Sequence, residues 1–189
     1  MKDTAVRFQQ AGIPIGGIGV QGHMHDIDLT LVQARLDILA EAGLPIVITE
    51  FAVNEQNETL KAEKLVDLMT MFYGHPSVDG VVFWGFWDGR IWEPDAYLFS
   101  GENVTANAAG IAYQELYHNT WRTRDFQTLL GSEEYSVRGF KGDYMLKVKH
   151  DGEVLMTHEF QLPDGGSSLE IHLNGTLGGS PSVSHVVAG

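Results

Sequence analysis

The sequence has no cysteine, few basic residues and no long apolar run. The absence of cysteine excludes a disulfide scaffold and removes any argument about compartment from thiol usage. Lysine and arginine together number 12 against 25 aspartates and glutamates, which gives a net charge of −13. That balance argues against an unaided binder of nucleic acid or of an anionic membrane. No segment reaches the roughly 18 apolar residues of a transmembrane helix, and residues 1–7 lack the apolar core of a signal peptide.

The chain is also short for one common architecture. Its 189 residues, 43% of them hydrophobic, are typical of a folded protein with one or two domains. A complete (β/α)8 barrel usually takes about 250 residues, so a complete barrel is not expected. A polysaccharide or another neutral partner remains compatible with this composition.

Three asparagines bear on where the protein is located. Asn57, Asn103 and Asn174 each begin an N-x-S/T glycosylation motif. More than one such motif is unusual for so few asparagines, and this favours an extracellular, secreted protein. Surface asparagines that never meet a glycosyltransferase are the alternative.

The first two thirds of the chain repeat one pattern, in which an apolar strand is followed by an amphipathic helix. Strands are predicted to start near Gly17, Ile46 and Gly80, and helices are predicted over 4–10, 28–42, 59–73 and 107–117. This order predicts an α/β fold with a parallel sheet over residues 1–131.

The period of the apolar residues changes from 3.6 to 2 after about residue 132. Asp151-Gly152 lies between alternating segments and predicts a type I′ hairpin turn. Further strands are predicted over 154–160 and 169–173. We therefore expect a small antiparallel β module over residues 132–173, followed by a flexible Gly/Ser/Val tail over 174–189.

The carboxyl ends of the three parallel strands are where ligands would gather. Glu50 follows an apolar run and, by period 2, shares a face with Ile46 and Ile48. A carboxylate there must be solvated, paired or used in chemistry, and a salt-bridged glutamate at the rim is the alternative. Gln21 and His23 are two residues apart, so His23 is a candidate to hold Glu50 ionised and oriented.

A long loop after the third strand is rich in aromatic residues. Trp84 and Trp92 are candidates for flat platforms on which a sugar ring stacks. Ordinary core packing is the alternative, and it is the preferred interpretation for Phe83, Phe86 and Trp87.

As an ordered set, these strand ends resemble glycoside hydrolase family 10, the retaining endo-1,4-β-xylanases. Residues 12–23, ending in Gly-Val-Gln-Gly-His, resemble its sixth strand, and 44–53, with Ile-Val-Ile-Thr-Glu, resemble its seventh. Residues 78–88, with Val-Val-Phe-Trp-Gly, resemble its eighth strand, and Trp92 its tryptophan loop. The tail, with Val-Arg-Gly-Phe-Lys-Gly-Asp-Tyr at 137–144, resembles the extension of plant and animal members. The implied fold is a partial TIM (β/α)8 barrel, strands 6 to 8 with their helices, followed by the small β module.

The resemblance also implies a role for each site residue. Glu50 is the implied nucleophile, His23 orients it, and Gln21, Trp84 and Trp92 contact the sugar. The implied substrate is xylan or a related β-1,4-linked polysaccharide, with no metal and no organic cofactor. The family's first five strands and its acid/base glutamate do not appear, so we expect an inactive fragment whose partner is the missing N-terminal half of the barrel.

Three positions depart from the family pattern or imitate part of it. Gly16 stands where the family commonly has aspartate, and Glu93 stands where a basic residue is common. Val53-Asn54-Glu55 imitates the motif that contains the acid/base. In an extended chain Glu55 would lie roughly 16 Å from Glu50, at about 3.3 Å per residue, and on the other face. We therefore interpret Glu55 as a loop glutamate.

Two alternatives of other classes remain open. A non-catalytic carbohydrate-binding remnant would keep the cleft without the chemistry. A metal-dependent barrel hydrolase would use His23 and His25, with Asp26 and Asp28 nearby, because two histidines at this spacing share a face and imidazole suits zinc.

Overall fold

The computed structural model describes residues 1–25, 27–130, 133–163 and 165–172, together with the backbone of 182–186. The chain divides into two compact units, Met1–His118 and Asn119–Gly189. None of the described helices is long and apolar enough to cross a membrane.

The first unit alternates short strands with helices, as the sequence predicts. Its helices are α1 (Lys2–Gln10), α2 (Leu29–Ala40), α3 (Glu58–Gly74) and α4 (Ala108–Glu115), the last continuing into a π-helical turn, Leu116–Thr120. Its strands are β1 (Ile18–Val20), β2 (His23–Met24), β3 (Ile46–Val53), β4 (Val78–Phe83), β5 (Phe99–Ser100) and β6 (Thr105–Ala106). The last two form a small antiparallel pair of their own.

The main sheet is parallel, and β3 lies at its centre. Successive β1 and β2 pair with one side of β3, and β4 pairs with the other side. The parallel βα arrangement predicted for this part of the chain is therefore confirmed. The described residues form an open sheet and do not close a barrel.

Helix caps and one buried helix face hold this unit together. Asp28, Asn57 and Asn107 each cap the helix that follows, because their side chains accept backbone N–H groups that the first turn leaves unpaired. The apolar stripe of α3 is buried as its 3.6-residue period predicts; the buried residues of this helix are Lys61, Leu65, Leu68, Met69 and Phe72.

Strand β3 contains a bulge at the level of Glu50. The pairs that flank it are Ile48↔Val20 and Ala52↔His23 on one side, and Ile48↔Val81 and Phe51↔Phe83 on the other. On both sides β3 has one residue more than its neighbour, and such a bulge re-aims the side chains within it. Glu50 was expected to end the strand and to keep the alternation of Ile46 and Ile48. This is wrong, because β3 continues to Val53 and Phe51 is as fully buried as Ile46.

The second unit contains antiparallel strands: β7 (Gly142–His150), β8 (Glu153–Leu162), β9 (Ser168–His172) and β10 (Ser182–Val186). Strands β7 and β8 form a hairpin, and β9 pairs with β10. Asp151 and Gly152 both have positive φ, 49° and 85°. The predicted I′-type turn is therefore confirmed, since both of its central residues need that conformation.

The unit boundaries differ from the predicted ones in two respects. The second unit begins at Asn119 rather than at residue 132. Thr123 explains part of this difference, because its hydroxyl accepts hydrogen bonds from the Tyr144 hydroxyl and the Phe140 N–H. Residues 182–186, expected in a flexible tail, form a strand because β9 offers them an unpaired edge. Asn174 and the rest of the predicted tail lie outside the described residues.

Candidate active site

The imidazole of His23 lies between two carboxylates. Its Nε2 is 3.0 Å from Oε2 of Glu50, and its Nδ1 is 3.1 Å from Oε2 of Glu93. His23 belongs to β2, Glu50 to the bulge of β3, and Glu93 to the loop that follows β4. The structure therefore brings the predicted pair, His23 and Glu50, within hydrogen-bond distance, and it adds a third member.

Backbone contacts around Gly22 place the two partners side by side. The N–H of Glu50 donates to the Gln21 carbonyl at 2.7 Å, and the N–H of Ala52 donates to the Gly22 carbonyl at 3.2 Å. Gly22 has φ +89°, and a Cβ at this position would lie 2.5 Å from the Ile48 Cγ2. Glycine is required here because both the φ angle and the close approach to Ile48 exclude a side chain.

The two carboxylates change the titration of the histidine. The pKa of His23 is raised above its ordinary value of 6.5, chiefly by the hydrogen bond to Glu50. Partial burial acts in the opposite direction, and the hydrogen bond and negative charge of Glu93 add to the rise. Opposite charges beside the ring favour its protonated form.

The sequence analysis treated Glu93 only as a departure from a family pattern and missed its contact with His23. The residue is 4% exposed, although it lies in a polar loop next to the exposed Trp92. Sequence patterns do not reveal such burial, since a loop has no periodicity. The only available signal was the acidic residue itself, in a position where the resemblance called for a basic one.

A buried lysine, also missed from the sequence, anchors the loop that carries Glu93. Lys61 in α3 is 0% exposed, and its Nζ donates to the Asp95 carbonyl at 3.0 Å. The same ammonium donates to Oε1 of Glu58 at 2.7 Å and lies 4.6 Å from the centroid of the Tyr97 ring. The loop is thus held to α3 on both sides of its turn.

Trp84 and Trp92 flank the histidine from two directions. Their ring centroids lie 5.9 Å and 6.3 Å from that of His23. Trp84 is 38% exposed and Trp92 is 71% exposed, so both leave ring surface open to solvent beside the carboxylates. Such surface suits the apolar face of a sugar.

The other aromatic residues of this region divide between packing and exposure. Phe83 packs on Phe51 and Tyr113, with centroids 5.3 Å and 5.1 Å away, as core packing predicts. Trp87 is half-buried, and its Nε1–H donates to the Gly101 carbonyl at 2.8 Å. The core position expected for Phe86 is wrong, because this residue is 55% exposed.

Gln21 and Glu55 occupy different surroundings. Gln21 is exposed next to the site and contributes its backbone carbonyl to the strand pairing, so a side-chain contact with sugar stays a prediction. Glu55 lies in the loop after β3, with Lys64 Nζ 2.6 Å from its Oε2. Lys64 and the Asn57 N–H hold the pKa of Glu55 below its ordinary value. A general acid at neutral pH needs the opposite shift, which supports the interpretation of Glu55 as a loop residue.

The alternative metal site finds no ligand set in the described residues. His25 Nε2 lies 3.5 Å from Oε1 of Glu93, and Asp28 caps α2. Within the described part of the chain, no group of three or more histidines, aspartates or glutamates is placed to hold a metal ion. Asp26 lies outside the described residues.

Comparison with known proteins gives consistent results for the barrel part of the chain. Residues 1–128 match the model of glycosyl hydrolase family 10. Over 86% of its length, the chain is 34% identical to anti-sigma-I factor RsgI6 of Acetivibrio thermocellus, and over 88% it is 32% identical to endo-1,4-beta-xylanase 3 of Arabidopsis thaliana. The chain spans only about a fifth of these two relatives, 21% and 22% of their lengths.

A solved structure extends the likeness to three dimensions. The intracellular xylanase of Thermoanaerobacterium saccharolyticum, crystallised as a mutant in complex with xylotriose, matches with a TM-score of 0.53 and 30% identity. The match covers 59% of this chain and 38% of that one.

Proposed function

Because the chain belongs to glycosyl hydrolase family 10, we propose that it supplies the nucleophile side of a retaining endo-1,4-β-xylanase. The observation that carries this proposal is the contact of Glu50 with His23 beside two partly exposed tryptophans. The family implies a TIM-barrel fold, in which catalytic groups lie at the carboxyl ends of the strands. Glu50 and His23 lie in neighbouring strands of the sheet, at that end.

The proposed reaction takes place in two steps. An oxygen of Glu50 attacks the anomeric carbon while the glycosidic C–O bond breaks and an acid/base carboxyl gives its proton to the leaving oxygen. Water then attacks the anomeric carbon of the glycosyl ester, gives a proton back to the acid/base, and releases Glu50 as a carboxylate. His23 orients Glu50 in both steps, and Trp84 and Trp92 support the sugar rings. The two carboxyl groups and water supply the chemistry, so the proposal requires no cofactor.

Neither nearby glutamate is suited to be the second carboxyl. A retaining pair stands about 5–5.5 Å apart across the scissile bond. Glu93 binds the opposite edge of the imidazole, so the His23 ring separates it from Glu50. Glu55 is held by Lys64. We therefore assign the acid/base to a part of the protein outside this chain, which makes the N-terminal half of the barrel its partner.

Xylan is the proposed substrate, and the extracellular space is the proposed location. The xylan assignment is supported by relatives named endo-1,4-beta-xylanase and by the solved complex with xylotriose. The location rests on the glycosylation motifs alone, of which Asn103 lies exposed in a turn.

The nucleophile role is tested by Glu50→Gln in the complete protein that contains this chain. Removing a nucleophile should lower kcat/KM on a soluble xylan by at least about a thousandfold. Glu55→Gln is the matched control and should retain activity, because Glu55 contacts Lys64 and not His23. Full activity of Glu50→Gln would contradict the proposal. The 189 residues alone should release no xylo-oligosaccharide, since they lack the acid/base.

A second candidate is a non-catalytic carbohydrate-binding module of the same fold. It is favoured by the fact that one relative, at 34% identity, is named an anti-sigma factor rather than a hydrolase. In that case the complete protein would bind xylo-oligosaccharides without hydrolysing them. Binding would then depend on Trp92 and would be unaffected by Glu50→Gln.

A further inference from the structure

Glu93 is a buried carboxylate that meets two histidines. Its Oε2 lies 3.1 Å from His23 Nδ1, and its Oε1 lies 3.5 Å from His25 Nε2. The Glu93 side chain is 5% exposed, against 26% for Glu50. A carboxylate buried to this degree is costly unless a positive charge or several hydrogen bonds compensate it.

The nearest cation of the loop does not compensate this charge. The ammonium of Lys61 is engaged by Glu58 and by the Asp95 carbonyl. His25 is 62% exposed at its side chain, and its contact with Glu93 is the longer of the two. The partner that remains is His23, which can neutralise Glu93 only when it is protonated.

The geometry at His23 requires the same protonation. Each ring nitrogen faces a carboxylate oxygen at hydrogen-bond distance, 3.0 Å for Nε2 and 3.1 Å for Nδ1. An ionised carboxylate only accepts hydrogen bonds, and a neutral imidazole has a single N–H. A neutral ring would therefore turn a lone pair toward either Glu50 or Glu93. Only the imidazolium donates to both.

We propose that Glu93 is a positioning residue that keeps His23 protonated on both nitrogens and so keeps its Nε2–H aimed at Glu50. Where Glu50 is the nucleophile, as proposed above, this arrangement stores the proton on the histidine and leaves Glu50 free to attack as a carboxylate. The titratable groups that face His23 are Glu50 from β3, Glu93 from the loop after β4, and His25 across Glu93. Trp84 and Trp92 supply the uncharged sides of the ring.

The protonation state is measured directly by 15N NMR of the His23 imidazole in the protein. In the wild type, both nitrogens should be protonated at pH 7. In Glu93→Gln, the His23 titration should shift to lower pH, and the neutral ring should keep its proton on Nε2, because Glu50 still accepts from it. Asp95→Asn is the matched control: it removes a carboxylate from the same loop without touching His23, and the titration should stay in place.

The outcomes separate this inference from the proposed function. A neutral His23 at pH 7 in the wild type overturns the inference, whether or not Glu93→Gln folds, and so does an unchanged titration in the folded variant. In the complete protein, Glu93→Gln should move the alkaline limb of the kcat profile to lower pH with little change in KM; an unchanged profile contradicts the inference. An inactive wild type with a doubly protonated His23 contradicts the proposed function alone.

Discussion

At the scale of single residues, His23 and Glu55 couple the folded state to pH in opposite ways. His23 gains two carboxylate partners on folding, and Glu55 gains Lys64 and a backbone N–H. The pKa of His23 is consequently raised above 6.5, and the pKa of Glu55 is lowered below 4.5. A group that binds its proton more tightly in the folded state stabilises that state at low pH, and a group that binds it less tightly does so at high pH.

This difference predicts two separate losses of stability. The contribution of His23 should be complete below pH 6.5 and decline as the pH rises through its raised folded pKa. The contribution of Glu55 should be complete above pH 4.5 and decline as the pH falls through its lowered folded pKa. Urea unfolding midpoints across pH 3–9 check both, with His23→Gln and Glu55→Gln as the variants. Each variant should flatten only its own limb, and a change in the other limb would contradict the assignment.

At the scale of elements, the bulge in β3 and the turn at Gly22 together form the site. The bulge inserts one residue near Glu50, and Gly22 lets the preceding chain kink between β1 and β2 so that β2 resumes pairing beside Ala52. Neither feature acts alone, because the Gln21 and Gly22 carbonyls accept the N–H groups of Glu50 and Ala52. The contact of His23 with Glu50 therefore depends on two matched irregularities in neighbouring strands.

Gly22→Ala should disturb this match. Alanine at a left-handed φ costs about 1–2 kcal/mol, and the added Cβ would also meet the Ile48 methyl at 2.5 Å. We expect a loss of unfolding free energy of at least that size, measured by urea denaturation, together with reduced activity of the complete protein. Gly80→Ala is the control, because nothing lies within 4 Å of a Cβ there and its φ is not left-handed. Equal stability of the two variants would refute the role given to Gly22.

At the scale of the whole molecule, the main sheet of the first unit has two open sides. In the described residues, β1 and β2 pair only with β3 on one side, and β4 pairs only with β3 on the other. Val82 in β4 is 55% exposed, and a parallel strand of this kind is normally buried on both faces. Unpaired parallel edges and exposed strand residues suit a sheet that continues into further strands.

We therefore expect the 189-residue chain to be poorly stable when it is produced alone. It should self-associate or unfold without a sharp transition, and it should gain stability when co-expressed with the N-terminal half of the barrel. Light scattering after size exclusion and thermal unfolding followed by circular dichroism measure both properties. A monomer that unfolds cooperatively at about 45–65 °C, the usual mesophile range, would contradict this expectation.

The sequence by itself determined the order of strands and helices, the hairpin turn at Asp151 and the pairing of Glu50 with His23. Local signals carry these features, since periodicity, caps and turn residues depend on near neighbours, and parallel strands end at a common edge. Only the tertiary structure decided the burial of Glu93, the anchoring of its loop by Lys61 and the bulge that aims Glu50. These depend on contacts between residues far apart in the chain, which leave no period in the sequence. The start of the second unit at Asn119 belongs with them, because the hydrogen bonds of Thr123 join it to residues that follow much later.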